Sequence, residues 1–347
     1  MSIKLKTLWV FFSAMLASSA AMAVDLVGVH DLALKSDPRL QAAEYRRQAT
    51  AENKTQAWAN MLPQLGAGAS WLKGSTETSF GAPELDDVSR NKDTRSYDIN
   101  LQQSLYRQAN YEQLDVARGQ ITQADAIYEI AFQDFLLRVS QGYFLVLTLI
   151  DGVTFAEAEE KALQRQFEQA EQRFEVGLTA VTDVHEARAS YDNARARAIV
   201  ARNDLADAKE ALKELTGKYF EEYDALQEVL PLVEPDPPNA EEWVQKALSN
   251  NPAVLSSRAA VEIADSNMRL ARSGHFPTLD LVAGYTDFRD NKRQFTTNLG
   301  QPIGTTTMDA DDTVIQLLFN VPIYQGGRVS SQTRQARLLM DATGQDL

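Results

Sequence analysis

Apolar residues recur at every third or fourth position through a proline-free stretch from Ala109 to Val176. This spacing predicts one continuous helix, which would be about 100 Å long at 1.5 Å per residue. A second stripe, from Val184 to Leu215, alternates steps of three and four without a miss and is rich in alanine. A sustained spacing of this kind specifies a coiled-coil seam between closely spaced backbones. We therefore expect two long helices.

The segment between the two stripes predicts a tight turn. Gly177 can adopt the left-handed conformation that ends a helix, Leu178 begins the turn, and Thr179 can cap the next helix. The helices are expected to fold back as an antiparallel hairpin.

Other segments alternate with a period of two. Between Ile315 and Ile323 every second residue is large and apolar, while Gln316 and Asn320 fall on the other face, and the run 98–105 is similar. Such strands fit a half-buried sheet of a soluble sandwich. They also fit an outer-membrane barrel, whose strands of about 9 to 11 residues alternate apolar-out and polar-in, although the pattern alone does not favour the barrel.

The chain contains an internal repeat. Residues 33–71 align with residues 247–285 at a constant offset of 214, and residues 101–108 then meet 319–326. Each copy predicts a helix of about 20 residues that an Asp-Pro or Asn-Pro pair opens and a proline ends, then a strand, a polar loop, a strand and a helix. The loops, 73–96 and 287–312, are expected to be plain solvated loops or receptor sites.

The N-terminus has the pattern of a cleaved secretory signal, with Lys4 and Lys6, an apolar stretch from Leu8 to Leu16, and small residues up to Ala23. A membrane anchor is disfavoured because that stretch is half the ~20 residues a span needs. No later segment reaches that length either: the most apolar one, 144–150, is closely flanked by polar and charged residues, so we expect no membrane-spanning helix outside the signal. The predicted divisions are a signal peptide (1–23), a first repeat (24–229), a proline-rich linker (230–239) and an incomplete second repeat (240–347).

Composition removes several classes of function. The chain has no cysteine and only three widely separated histidines, which argues against disulfides, thiolate chemistry, a metal site or another cofactor. Removing the signal takes away two of 34 basic residues and none of 48 acidic ones, so the net charge is -16. Nucleic acid would be repelled. No catalytic constellation is evident, and we expect no enzyme.

Four strands cannot close a membrane barrel, because the smallest such barrels have about eight. Open edges in a bilayer would leave backbone groups unpaired at several kcal/mol each. We therefore expect self-assembly. Three copies would supply twelve strands, and their helical hairpins would extend the barrel as a tube that conducts solutes.

Four segments resemble the TolC family of outer-membrane export channels: LPQLGAGASW (62–71), GHFPTLDLVAGY (274–285), VPIYQGGRVSSQTRQA (321–336) and RFEVGLTAVTDVHEARASYDNA (173–194). The resemblance runs through essentially the whole mature chain. It implies an α+β membrane protein: a homotrimer with a 12-stranded outer-membrane barrel and an α-helical periplasmic tunnel. It also implies a passive exit duct for type I protein secretion or multidrug efflux, serving a periplasmic adaptor and an inner-membrane ABC or proton-driven transporter.

The same resemblance assigns roles to residues at the tip of the helical hairpin. Thr182 and Asp183 match the family's gating pair at the periplasmic mouth, and residues 176–179 match the turn that meets the adaptor. First-turn stabilisation of the second long helix would explain Thr182 and Asp183 without any gating role. The adaptor-contacting turn comprises Val176, Gly177, Leu178 and Thr179.

Only 23 residues follow Tyr324, whereas two long helices follow the corresponding strand of the first copy. By the repeat logic a second hairpin is absent, and we expect that these 347 residues alone will not form a sealed conducting trimer. The alternative function is a soluble periplasmic coiled-coil adaptor or scaffold, which would be extracted without detergent. The sequence does not indicate the cargo or identify the pump and adaptor.

Overall fold

The computed structural model describes residues 23–78, 88–226, 235–296 and 302–347. Residues 1–22 of the predicted signal and 230–234 of the predicted linker lie outside these ranges, as do the tips of both hairpins. Within the ranges the helices are α1 (Leu26–Ser36), α2 (Pro38–Ala59), α3 (Gln108–Glu175), α4 (Val181–Thr216), α5 (Ala240–Asn250), α6 (Pro252–Arg272) and α7 (Arg328–Gln345). The strands are β1 (Gln64–Thr78), β2 (Val88–Arg107), β3 (Thr278–Thr296) and β4 (Pro302–Asn320).

The chain divides into two compact units. The first is formed by the described residues of Met1–Ala42 and Ala131–Glu234, and the second by those of Ala43–Ile130 and Pro235–Leu347. These units do not follow the predicted repeats 24–229 and 240–347, and those boundaries stay a prediction. Both halves, however, begin with two helices, two strands and a helix. The first half then adds α4, and the second has a 3-10 turn, Ser273–His275, before β3.

The four strands form one antiparallel sheet in the order β1-β2-β3-β4. The strands are longer than the sequence predicted. Polar residues that were assigned to hairpin loops 73–96 and 287–312 are mostly paired strand, and residues 79–87 and 297–301 lie outside the described ranges. The prediction failed because it treated the loss of apolar alternation as the end of a strand, whereas backbone pairing in a hairpin needs no apolar side chains.

The predicted proline-initiated helices are present. Asp37 accepts hydrogen bonds from the backbone N–H groups of Arg39 and Leu40 at the start of α2, and Asn251 accepts one from Ala253 at the start of α6. These side chains satisfy amide groups that have no partner within a first turn. The short helices α1 and α5 were not predicted, because each is too short to show a long stripe.

The first unit is built around the coiled-coil hairpin of α3 and α4, as predicted. Val146 of α3 and Ala198 of α4 are completely buried in the seam. Phe135, also completely buried, lies beyond the end of α4 and packs against His30 of α1, with ring centroids 5.7 Å apart. Phe167 stacks on Tyr191 across the hairpin with ring centroids 6.1 Å apart. Ion pairs also cross it, with Arg202 Nε 2.9 Å from Glu157 Oε1 and Arg197 Nη2 2.7 Å from Glu159 Oε1.

Helix α3 also contains an 18-residue stretch that, by length and composition alone, is apolar enough to cross a membrane. The sequence-based expectation had allowed no such stretch outside the signal. One such helix is weak evidence for a span. Within this unit Val139 and Tyr143, on the same helix, are almost completely buried, so part of its apolar character belongs to the protein core.

In the second unit, ion pairs fix helices α3 and α6 beside the end of the sheet. Arg269 Nε donates to Glu112 Oε2 at 2.9 Å, and its Nη2 donates to Ser266 Oγ at 2.8 Å. Arg107, the last residue of β2, is 2.8 Å from the mostly buried Asp280 of β3. This pair lies next to a β-bulge at Ser104–Tyr106, where the strand leads directly into α3.

Candidate functional site

The sheet has one apolar face that no described part of the chain covers. Cross-strand pairing places residues of one row on the same face. One such row runs across all four strands and consists of Leu65, Leu101, Ala283 and Ile315. Leu65 and Ile315 are each 75% exposed, and Phe319 is 68% exposed. Other members of this face are Ile99, Leu281, Tyr285 and Leu317. So large an exposed apolar surface is unusual on a water-soluble monomer.

The opposite face carries mainly small and polar side chains. Asn100 and Asp98 lie over Gly66 and Gly68 on the neighbouring strand, where an added Cβ would come within 2.6 Å of their side-chain oxygens. Glycine at these two positions leaves room for the Asn100 and Asp98 side chains, which would have to shift if a Cβ were added. Further polar members are Ser70, Gln102, Thr286, Asp312 and Gln316, and the apolar exceptions are Leu72, Val282, Phe288, Val314 and Leu318. The predicted alternation of Ile315, Leu317 and Phe319 with Gln316 and Asn320 is confirmed. The strand ends at Asn320, however, so the predicted continuation to Ile323 was wrong.

Aromatic side chains border the apolar face at the end that leads towards the turns of the two β-hairpins. Tyr97 and Tyr285 are about half exposed, and Trp71 is 69% exposed. The Trp71 indole donates to Asp93 Oδ1 at 2.9 Å, so its polar edge has a partner while its ring remains available. Rings of amphipathic aromatics mark the interfaces of outer-membrane barrels.

Both edges of the sheet are open among the described strands. β1 pairs only with β2, and β4 pairs only with β3, which leaves the outer backbone groups of both strands without a ladder partner. Soluble proteins usually shield such edges. Here the edges flank the exposed apolar face. Water could bond the backbone groups of the edges but would leave the apolar face exposed, whereas lipid would cover that face but leave the backbone groups without hydrogen-bond partners.

The tip of the helical hairpin, between α3 and α4, brings together all six residues that the sequence predicted for gating and adaptor contact. Gly177 has φ of 76°, and the backbone N–H of Leu178 donates to Arg173 O at 2.8 Å, which ends α3. Val176 and Leu178 are 70% and 77% exposed, although apolar. The predicted cap was wrong in detail: the N-cap residue of α4 is Ala180, and it makes no side-chain cap.

The hydroxyl of Thr179 forms its hydrogen bond with the side chain of Asp183 and does not cap a backbone amide of α4. Its hydroxyl donates to Asp183 Oδ2, and Thr182 Oγ1 donates to Asp183 Oδ1 at 3.4 Å. The hydrogen bond from Thr179 is the largest influence that lowers the pKa of the Asp183 carboxyl, and the backbone at Ala180 adds to it. The carboxylate is therefore stabilised in its ionised form at the first turn of α4.

We expect Thr179→Val to raise the pKa of Asp183 back towards its usual range, because the hydroxyl donor is lost. The stabilising effect of Asp183 should be present above the unfolded-state pKa and should disappear as the pH falls through the lowered folded-state pKa. Carbon-13 NMR titration of the labelled carboxyl would measure the change. An identical pKa in the wild type and the variant would contradict the assignment.

Sequence analysis missed two partly buried ion pairs, Asp37–Arg138 and Arg107–Asp280. Their partners are separated by 101 and 173 positions, and neither pair belongs to a recognisable motif. Among the described residues no group of three or more His, Cys, Asp or Glu is arranged to hold a metal ion.

A family model described as "Outer membrane efflux protein" matches residues 29–218 and 243–347. Among curated relatives, "Outer membrane protein TolC" of Vibrio cholerae is 34% identical over 344 residues, covering 99% of this chain and 75% of that protein. "Alkaline protease secretion protein AprF" of Pseudomonas aeruginosa is 29% identical over 354 residues, covering 98% and 69%.

The fold also resembles solved structures. The CmeC outer membrane channel of Campylobacter jejuni matches with a TM-score of 0.69 and 19% identity, covering 92% of this chain and 66% of that one. The predicted fold class, long antiparallel helices with four strands per chain, is confirmed.

Proposed function

The chain belongs to the outer membrane efflux protein family, and we propose on that premise that it is a subunit of an outer-membrane exit duct for type I protein secretion, multidrug efflux or both. It is located in the outer membrane. The observation that carries the proposal is the four-stranded sheet with one exposed apolar face and two open edges.

Closure of the sheet requires further copies. Four strands per chain are too few for a barrel, and twelve strands from three copies exceed the minimum of about eight. In a ring, β1 of one copy would pair with β4 of the next, which would satisfy both open edges. The apolar face would then contact lipid, and the polar face would line a water-filled passage.

Fractionation and electrophoresis test this proposal. The expressed chain should sediment with outer membranes and run as an oligomer that heating converts to monomer. Recovery of a detergent-independent monomer in the periplasmic extract would favour the alternative, a soluble coiled-coil adaptor or scaffold.

The exposed apolar turn supports a role in partner binding. We assign Val176, Gly177, Leu178 and Thr179 to contact with a periplasmic adaptor, which would couple the duct to an inner-membrane ABC or proton-driven transporter. Apolar side chains that are more than two thirds exposed at a helical turn are suited to insertion between the helices of a partner.

Val176→Ser combined with Leu178→Ser should weaken adaptor binding at least tenfold, because about 1.5 kcal/mol or more of apolar burial is lost. Surface plasmon resonance with the purified adaptor would measure it. Glu175→Gln is the matched control, since it alters the adjacent residue without removing apolar surface. Equal losses in both variants would contradict the assignment.

We further assign Thr182 and Asp183 to gating at the periplasmic mouth. The ionised carboxylate is exposed at the tip and can accept hydrogen bonds from a neighbouring hairpin. Its hydrogen bonds to Thr179 and Thr182 also stabilise its own turn. Both roles are compatible, because a carboxylate has about four acceptor sites.

A further inference from the structure

Two arginines lie side by side on the apolar face, just beyond its aromatic border. Arg95 of β2 is directly opposite Arg289 of β3, and this row continues to Trp71 on one side and Asp309 on the other. Both arginines are exposed. Like charges in direct cross-strand register destabilise a sheet unless something compensates them. The arrangement therefore points to an external partner.

The intramolecular partners of these arginines are sparse. Arg289 Nε is 3.5 Å from Asp287 Oδ1, and its side chain is 57% exposed. Arg95 has no hydrogen bond or ion pair to any other residue within the described ranges. Asp93, the nearest acidic residue in the chain, is already the acceptor for the Trp71 indole. Most of the donor capacity of the two guanidinium groups is thus unused.

The distance of the arginine row from the opposite limit of the apolar face indicates where in the membrane the two arginines lie. Asp309, in the arginine row, lies ten positions from Phe319, at the opposite limit of the apolar face. At about 3.4 Å per residue and a strand tilt of about 40°, this is roughly 26 Å along the membrane normal. The apolar band of outer-membrane barrels is about 25 Å tall. If the helices lie in the periplasm, the arginines are level with the headgroups of the outer leaflet.

From this placement we propose that Arg95 and Arg289 form a binding site for the phosphate groups of a phosphorylated glycolipid of the outer leaflet. The inference rests on the proposed function, which sets the orientation in the membrane. The acyl chains would lie on the apolar face near Ile99 and Tyr285, and a phosphate would accept bidentate hydrogen bonds from the guanidinium groups above.

Nearby carboxylates shape the selectivity of this site. Asp287 and Asp311 are directly opposed one row closer to the apolar band, and Asp309 is opposite Arg289. The patch has no net positive charge that would attract diffusing anions from a distance. A phosphate that the acyl chains already hold at this height needs no such attraction. The site should therefore require a lipid and should bind free phosphate poorly.

The test uses the full chain, purified in non-ionic detergent and stripped of lipid. Native mass spectrometry would follow titration with hexa-acyl diphosphoryl lipid A, with the same glycolipid after complete dephosphorylation, and with inorganic phosphate. We expect Arg95→Gln with Arg289→Gln to weaken diphosphoryl lipid A binding about 30-fold, since each basic residue near a membrane surface contributes about fivefold. The dephosphorylated lipid should bind both proteins weakly.

The control is Arg165→Gln with Arg195→Gln, which removes the same charge from exposed positions of α3 and α4. It should bind diphosphoryl lipid A like the wild type. If the patch variant does not fold, as judged by circular dichroism, Arg95→Gln alone should give about fivefold weaker binding. Equal binding by patch variant and control, equal binding of the dephosphorylated lipid, or tight binding of inorganic phosphate would each overturn the proposal. Absence of the chain from outer membranes would instead refute the proposed function.

Discussion

Arginines in place of Ile315 and Leu317 should abolish recovery of the chain in the outer-membrane fraction. Both side chains are more than 60% exposed on the apolar face of β4. An arginine facing lipid near the bilayer midplane costs about 2–4 kcal/mol, so the pair costs about as much as many proteins gain by folding. Sucrose-gradient fractionation and the yield of heat-sensitive oligomer measure the effect.

Gln316→Arg is the matched control. Gln316 lies between the two positions on the same strand but on the polar face. An arginine there would extend into the aqueous passage, and membrane recovery should remain near the wild-type level. If all three substitutions are equally tolerated, the apolar face does not contact lipid. If Gln316→Arg alone is as damaging as the pair, the two faces have been assigned wrongly.

The second large effect concerns Arg138. Asp37 is completely buried, and its Oδ2 lies 2.8 Å from Arg138 Nη1 but receives no hydrogen bond of good geometry. Oδ1 accepts from two backbone N–H groups, and Arg138 is the cationic partner of Oδ2. Arg138→Met should destabilise the first unit by about 3–5 kcal/mol, because a buried carboxylate would remain without its counter-ion. Urea unfolding followed by circular dichroism would show the shift.

Two further variants isolate the cause. Arg188→Met removes an arginine that is 67% exposed and 3.8 Å from Asp192, so the change should be about 0–1 kcal/mol. Asp37→Asn added to Arg138→Met removes the buried charge and keeps an oxygen to accept from Arg39 and Leu40. This double variant should recover at least half of the lost stability. Similar urea midpoints for Arg138→Met and Arg188→Met would contradict the account.

Long-range periodicity made the helices predictable. The stripe from Ala109 to Val176 predicted α3 to within one residue at each end, because a 3,4 spacing repeated over many turns has few alternatives. Gly177 was predictable for a local reason, since its left-handed backbone strongly favours glycine. The proline-initiated helices carried equally local signals in Asp37 and Asn251.

Features set by tertiary contact were not predictable in the same way. The ends of the strands depend on backbone pairing with a neighbour, so the polar outer parts of β1 to β4 resembled loops. Arg95 and Arg289 become neighbours only through the register between β2 and β3. Likewise, Thr179 was expected to cap α4, but its hydroxyl found a stronger acceptor in the carboxylate of Asp183.

Disulfide cross-linking of the open edges tests the central claim most directly, because the chain contains no native cysteine. Ser70→Cys on β1 would be combined in turn with cysteine at Asp312, Val314 or Gln316 on β4, all on the polar face. Asn100→Cys with Gly284→Cys, paired within one sheet, serves as the oxidation control. We predict a covalent trimer from at least one edge combination, and only dimers when the two single-cysteine chains are mixed. Monomers from every edge combination, with the control pair fully oxidised, would contradict assembly through β1 and β4.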